Sequence, residues 1–148
     1  MTLLKYSSPD TPDAFEKFQY FTASAYSAAI PKGYALNFTN LKASTSTSSY
    51  MGYTTLNKYD TAQCANFCNQ QTGCVAFNIY FERDPTLDPN AQSCPNPPSL
   101  TNIKCVFWGV PISAETAANS GQYRDSFQVV IAGELFSRSI LYQNLTPY

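Results

Sequence analysis

Chemistry in this chain must be carried by carboxylates, cysteines, lysines or ring hydroxyls, because the sequence contains no histidine. That absence removes Ser-His-Asp and Cys-His nucleophilic catalysis, histidine acid/base work and most catalytic zinc sites. What remains in concentrated form is the run Glu82-Arg83-Asp84 and five cysteines, Cys64, Cys68, Cys74, Cys94 and Cys105. The Glu-Arg-Asp run offers a polar ligand clamp, the guanidinium for a carboxylate or sugar hydroxyls and the acids as acceptors. Its plain alternative is a local ion pair followed by an Asp-Pro turn. Glu82 and Asp84 share one face if the run is extended, and a hydrolase would have to use that pair. Asp84, Asp88 and Asn90 supply oxygen atoms of the kind calcium takes, but their spacing fits no EF-hand, so no metal site and no cofactor is expected. Trp108, in an apolar run after Cys105, could stack on a sugar ring or fill a core. Tyr53, with Tyr50, Tyr59 and Tyr123, could form an exposed aromatic platform. Asn37-Phe-Thr39 and Asn144-Leu-Thr146 are glycosylation acceptors.

The elements that must position these residues follow from periodicity and punctuation. Residues 1–10 read as an unstructured lead. Thr11-Pro12-Asp13 starts a helix, with Thr as N-cap and Pro in the first turn. Phe15, Phe18, Thr22, Ala25 and Ala29 make one apolar stripe running to about Ala29, before Pro31 and Gly33. Tyr34 to Phe38 alternates weakly, Lys42 to Ser49 is a Ser/Thr-rich loop, and strand character resumes at Tyr50 to Tyr53. Asp60-Thr-Ala-Gln63 has the form of a capping box opening a second helix to about Gln70, stopped by Gly73. Cys74 to Phe81 is a strong strand. Glu82 to Ile103, with five prolines, reads as a long loop pinned by Cys94. Lys104 to Gly109 and Phe127 to Ala132 are further strands, with a helical turn between Ser113 and Asn119. The stretch from Glu134 to Tyr148 shows no period and is expected to lie outside the fold.

Length bounds the architecture at one domain of about 148 residues, and the net charge of -1 with nine scattered Lys and Arg excludes a nucleic-acid footprint. No stretch approaches transmembrane length, so no membrane span is expected. Five cysteines without a CxxC pair favour an oxidising compartment over zinc. Met1-Thr-Leu-Leu-Lys-Tyr lacks the apolar run of a signal peptide, so the extracellular expectation rests on the cysteines. Cys64 and Cys68 fall on one helix face, and both can reach a sheet beneath it. Cys68–Cys74 is then an easy short loop, and Cys64 can reach Cys105 on a neighbouring strand. The rival pairing, Cys94–Cys105, would close the Pro-rich loop on itself. With an odd number, Cys94 is left over, and an interchain bridge through it would give a disulfide-linked dimer.

Cys64-Ala-x-x-Cys68, Gly73-Cys74-x-Ala76-Phe77 and the later Lys104-Cys105 strand resemble the PAN/apple domain. More narrowly, Gly52-Tyr53-x-Thr-Leu56-x-x-Tyr59-Asp60, Phe77-Asn-Ile-Tyr-Phe-Glu-Arg-Asp-Pro85, Cys105-Val-Phe-Trp-Gly109 and Phe127-Gln-Val-Val-Ile-Ala-Gly133 are similar to a group of secreted fungal apple-domain proteins. The resemblance covers roughly residues 9–133. It implies an α+β fold: a curved antiparallel sheet with one helix bridged to it by disulfides, beside the N-terminal helix, with the domain spanning residues 11–133. It implies no catalytic activity, and an extracellular module of secreted or cell-wall type that recognises carbohydrate or protein. Two departures stand out. Members of that group carry a signal peptide and a further cysteine upstream, and they continue past the last strand with a Ser-Asn-Gly-type turn rather than Glu134-Leu-Phe-Ser-Arg. The second reading is therefore a structural secreted protein cross-linked through Cys94, and the third a carboxylate-based hydrolase.

Overall fold

The computed structural model describes residues 7–91 and 93–140. Two short helices, α1 (Pro12–Glu16) and α2 (Gln19–Ser27), precede strand β1 (Tyr34–Thr39) and strand β2 (Tyr50–Leu56). Helix α3 (Thr61–Asn69) follows, then β3 (Ala76–Pro85), β4 (Ser99–Trp108), a 3-10 turn at Ala114–Thr116, β5 (Gly121–Arg124) and β6 (Phe127–Ser139). All strands join one antiparallel sheet in the order β1-β6-β3-β4-β2, with β5 paired to the start of β6. The fold is α+β, with helices on one face of a sheet.

The expected single N-terminal helix is broken. Phe18 takes an extended conformation between α1 and α2, and Lys17 caps the first piece through its backbone N–H. Aromatic burial is the reason. A straight helix would bury Thr22; the break buries Phe21 instead, against Phe15 at 4.6 Å, Phe18 at 4.9 Å and Phe81 of β3 at 4.2 Å between ring centroids. A phenyl ring removes far more apolar surface from water than a threonine. Asp10, expected in an unstructured lead, is held in place, accepting from Ser99 N and Ser99 Oγ and from the Arg83 guanidinium.

The long loop expected over residues 82–103 shrinks to residues 86–98, because β3 and β4 pair without interruption from Ala76↔Trp108 to Pro85↔Ser99. The charged run at its start had argued for a loop. Each of these side chains has a partner: Glu82 the Lys104 ammonium across the sheet, Arg83 the Asp10 carboxylate, and Asp84 the neutral Asn102 amide at 2.8 Å. A strand tolerates charge where partners sit across it.

The tail is a second correction. Residues 134–139, expected outside the fold, complete β6 and pair with β1 from Thr39↔Leu135 to Tyr34↔Ser139. A bulge hides them from a periodicity argument. Ile79 pairs with Leu135 and Phe81 with Ala132, so Gly133 and Glu134 face a single residue of β3. Val130 and Ala132 lie in the core under the helices, yet beyond the bulge Leu135 takes that side and Phe136 the other. One inserted residue inverts the alternation. Gly133 is required there: its φ is +64°, and a Cβ would lie 2.5 Å from the Phe21 carbonyl oxygen.

Helix α3 opens as expected, with Asp60 Oδ1 accepting from Gln63 N at 3.0 Å. Its buried face carries Cys64, Ala65 and Cys68. Cys64 is bonded to Cys105 on β4, and Cys68 to Cys74 just before β3. The helix is thereby tied to the sheet at two points. The Cys94–Cys105 alternative is not formed, and Cys94 is a half-buried free thiol.

The main core lies between the helices and β3, β4 and β6, filled by Phe15, Phe21, Phe77, Ile79, Phe81 and Leu135. A smaller core on the opposite face holds Val75, Tyr80, Val106, Trp108, Ile131 and Phe136. Val75 belongs to this second cluster and Cys74 packs against the first, so the pair does not continue the alternation by which Ala76 faces the second cluster and Phe77 the first. The strand begins only at Ala76, so the two residues before it do not follow its pleat.

Candidate functional site

On the sheet face away from the helices, the second core stops short and leaves an open cavity of about 580 Å³. Its floor is built by alternate residues of the two central strands, Tyr80, Glu82 and Asp84 of β3 and Lys104, Val106 and Trp108 of β4. These side chains emerge together because i and i+2 on a strand share a face. Tyr50 and Tyr53 of β2 form one wall. The other is made by residues 44–47, by Asn119, Gly121, Gln122 and Arg124, and by Val129, with the Ser44↔Asn119 bridge joining its two segments.

A charged cluster occupies the floor. Glu82 Oε1 lies 2.5 Å from Lys104 Nζ, with both side chains mostly shielded from water. Burial first, and then the adjacent Asp84 carboxyl, push the Glu82 carboxyl up to about 7 against the opposing pull of Lys104. Burial alone would lower Lys104, but Glu82 and Asp84 beside it leave its ammonium held more firmly than usual. The Lys104 ammonium also lies 4.8 Å from the Tyr53 ring centroid, a cation–π contact. Burial, with Glu82 nearby, keeps the Tyr80 phenol protonated well beyond its ordinary range.

The aromatic side chains divide by exposure. Tyr50 is 55% and Tyr53 54% exposed, whereas Trp108 is 4% exposed. Trp108 donates its indole N–H to Asn78 Oδ1 at 3.0 Å and meets the edge of Tyr50 at 5.5 Å. It supports the wall from beneath, and the two tyrosine rings are the faces a ligand can reach. Among the hydroxyls of the opposite wall, Thr45 is buried, and its Oγ1 has no hydrogen-bond partner among the described residues.

Of the residues singled out in the sequence, Glu82, Asp84, Tyr53 and Trp108 therefore meet in one place. Arg83 does not. It is buried away from the cavity, its guanidinium 4.3 Å from the Phe127 ring centroid, donating to the Gln128 carbonyl at 2.8 Å and to Asp10 Oδ1 at 3.1 Å. Tyr59 also lies elsewhere, stacked on Phe81 and donating to the Gly133 carbonyl. Tyr123 is exposed on β5 and does not line the cavity. Asn37 is half-buried on β1, and its amide donates to the Ile112 carbonyl, so a glycan there would have to displace that bond. Asn144 lies outside the described residues. Asp88 and Asn90 form a turn through Asn90 N and Asp88 Oδ1, and among the described residues no group of three or more acidic or cysteine side chains is placed to hold a metal.

Sequence reasoning missed Lys104, Thr45, Gln122 and Arg124, all of which line the cavity. Lys104 carried a signal, lying one residue before Cys105 and so on the opposite strand face. Thr45 carried none, because a Ser/Thr-rich loop reads the same whether it faces a cavity or water. In comparisons with protein-family models, curated proteins and solved structures, nothing matches this chain.

Proposed function

We propose that this protein is a non-catalytic, extracellular recognition module of PAN/apple-like architecture that binds carbohydrate in the cavity on the open sheet face. The observation that carries the reading is the pairing of two exposed tyrosine rings with a hydrogen-bonding floor of Glu82, Asp84 and Lys104. Sugars present an apolar C–H face and a rim of hydroxyls, and a stacking ring beside fixed polar groups complements both. Two disulfides support an oxidising, extracellular setting. The motifs shared with the secreted apple-domain group point the same way.

Hydrolysis is the weaker use of the same residues. Glycosidases hold their two carboxyls about 5–9.5 Å apart, leaving room for the glycosidic bond or a water between them. Here the Glu82 and Asp84 carboxyls lie close enough to perturb each other, and Glu82 is also engaged by Lys104. The pair suits holding a ligand rather than cleaving one.

The test is a glycan array followed by titration calorimetry on any hit. Tyr53→Ala is expected to weaken binding by about tenfold, the loss of one stacking contact of roughly 1 kcal/mol or more. Arg83→Ala, on the far face, should leave the affinity of the folded protein unchanged. A blank array, or a hit indifferent to Tyr53, would remove the carbohydrate reading.

A further inference from the structure

Resting on the carbohydrate reading above, we infer that the cavity accepts neutral or ammonium-bearing sugars and turns away carboxylated ones. The reason lies in which charges are already matched. Lys104 is the one cation on the floor among the described residues, and its ammonium is enclosed between Glu82 at 2.5 Å and the Tyr53 ring. Arg124, at the rim, lies 3.9 Å from Asp88. Asp84 is half-buried on the floor and makes no ion pair among the described residues; its Oδ2 accepts from the neutral Asn102 amide. Two carboxyls against one enclosed ammonium give the floor a negative balance whenever Glu82 is ionised. A sugar carboxylate entering there would be repelled by Asp84 with Lys104 already enclosed, and the one other cation lining the cavity among the described residues, Arg124, is turned to Asp88. Hydroxyl or ammonium donors find an acceptor instead in Asp84, beside a Thr45 hydroxyl that is buried in the wall without a partner among the described residues.

Protonation adds a direction. Glu82 is faced by Asp84 and Tyr80 on its own strand and by Lys104 on β4, with Tyr53 of β2 and Arg124 of β5 lining the same cavity. As pH rises through about 7 Glu82 ionises, so discrimination against acidic sugars should sharpen.

The probes are oligomers of glucose, mannose, N-acetylglucosamine, glucosamine and galacturonate, arrayed at pH 6 and pH 8. Signals from one or more neutral or ammonium-bearing oligomers without galacturonate are expected, with any trace of galacturonate weaker at pH 8. Asp84→Asn, which keeps the Asn102 partner and loses the charge, should raise galacturonate binding by about tenfold relative to the neutral hit. Galacturonate bound by the unmodified protein as well as the neutral oligomers overturns this inference and leaves the carbohydrate reading standing. A discrimination unaffected by Asp84→Asn also overturns it. A blank array on every oligomer overturns both.

Discussion

At the scale of single residues, Glu82, Arg83 and Asp84 are neighbours in the chain with separate duties in the fold. The two acids face the cavity, while Arg83 crosses to the other side and holds Asp10. Arg83 is 3% exposed, and its stem and planar head fill space against Phe127. Arg83→Ala should therefore lower the unfolding free energy by about 3 kcal/mol, through lost packing against Phe127 and lost hydrogen bonds to the Gln128 carbonyl and to Asp10. Asp10→Ala should cost about 1 kcal/mol, because that carboxylate is part-exposed. Urea denaturation of both variants checks the order; an Arg83→Ala protein as stable as its parent would contradict the structural role.

At the scale of elements, the bulge in β6 is the device that lets one long strand serve two partners. Before it the strand pairs with β5 and the outer part of β3; beyond it the strand takes β1 on its free edge. Gly133 and Gly52 both have positive φ, but only Gly133 also has backbone packed where a Cβ would go. Gly52→Ala is expected to cost about 1 kcal/mol from conformational strain alone, and Gly133→Ala about 3 kcal/mol or more, since Phe21 and the α2 packing must shift. Equal losses in thermal melts would show that α2 does not need the bulge. The two disulfides divide similarly by span. Cys64–Cys105 closes 41 residues and should contribute about 4 kcal/mol, Cys68–Cys74 closes 6 and about 2 kcal/mol.

At the scale of the whole molecule, buried carboxyls set the response to pH. Glu134 is fully buried; its Oε2 accepts from Lys42 N, and its Oε1 has no partner among the described residues. Burial pushes its carboxyl up to about 7, from an ordinary value near 4.5. The unfolded chain ionises first as pH rises, so the folded state loses stability between about pH 4.5 and pH 7 by up to roughly 3 kcal/mol, and the loss then levels off. Glu82 acts with the same sign over the same window. Glu134→Gln should be nearly neutral at pH 4 and stabilising at pH 8. A difference in melting temperature that does not change with pH would count against this account.

Local matters were legible in the sequence: the Asp60 cap, the shared face of Cys64 and Cys68, the apolar strands, and the absence of histidine chemistry. Each depends on residues a few positions apart, where helix and strand periods are strict. Tertiary structure alone decided that Glu82 and Asp84 stand in a strand, that Phe21 rather than Thr22 is buried, and that residues 134–139 belong to the sheet. Charges read as loop when their partners, Lys104 and Asp10, lie many residues away. A bulge inverts alternation without changing composition. The cavity arises where strands far apart in sequence place their side chains on one open face.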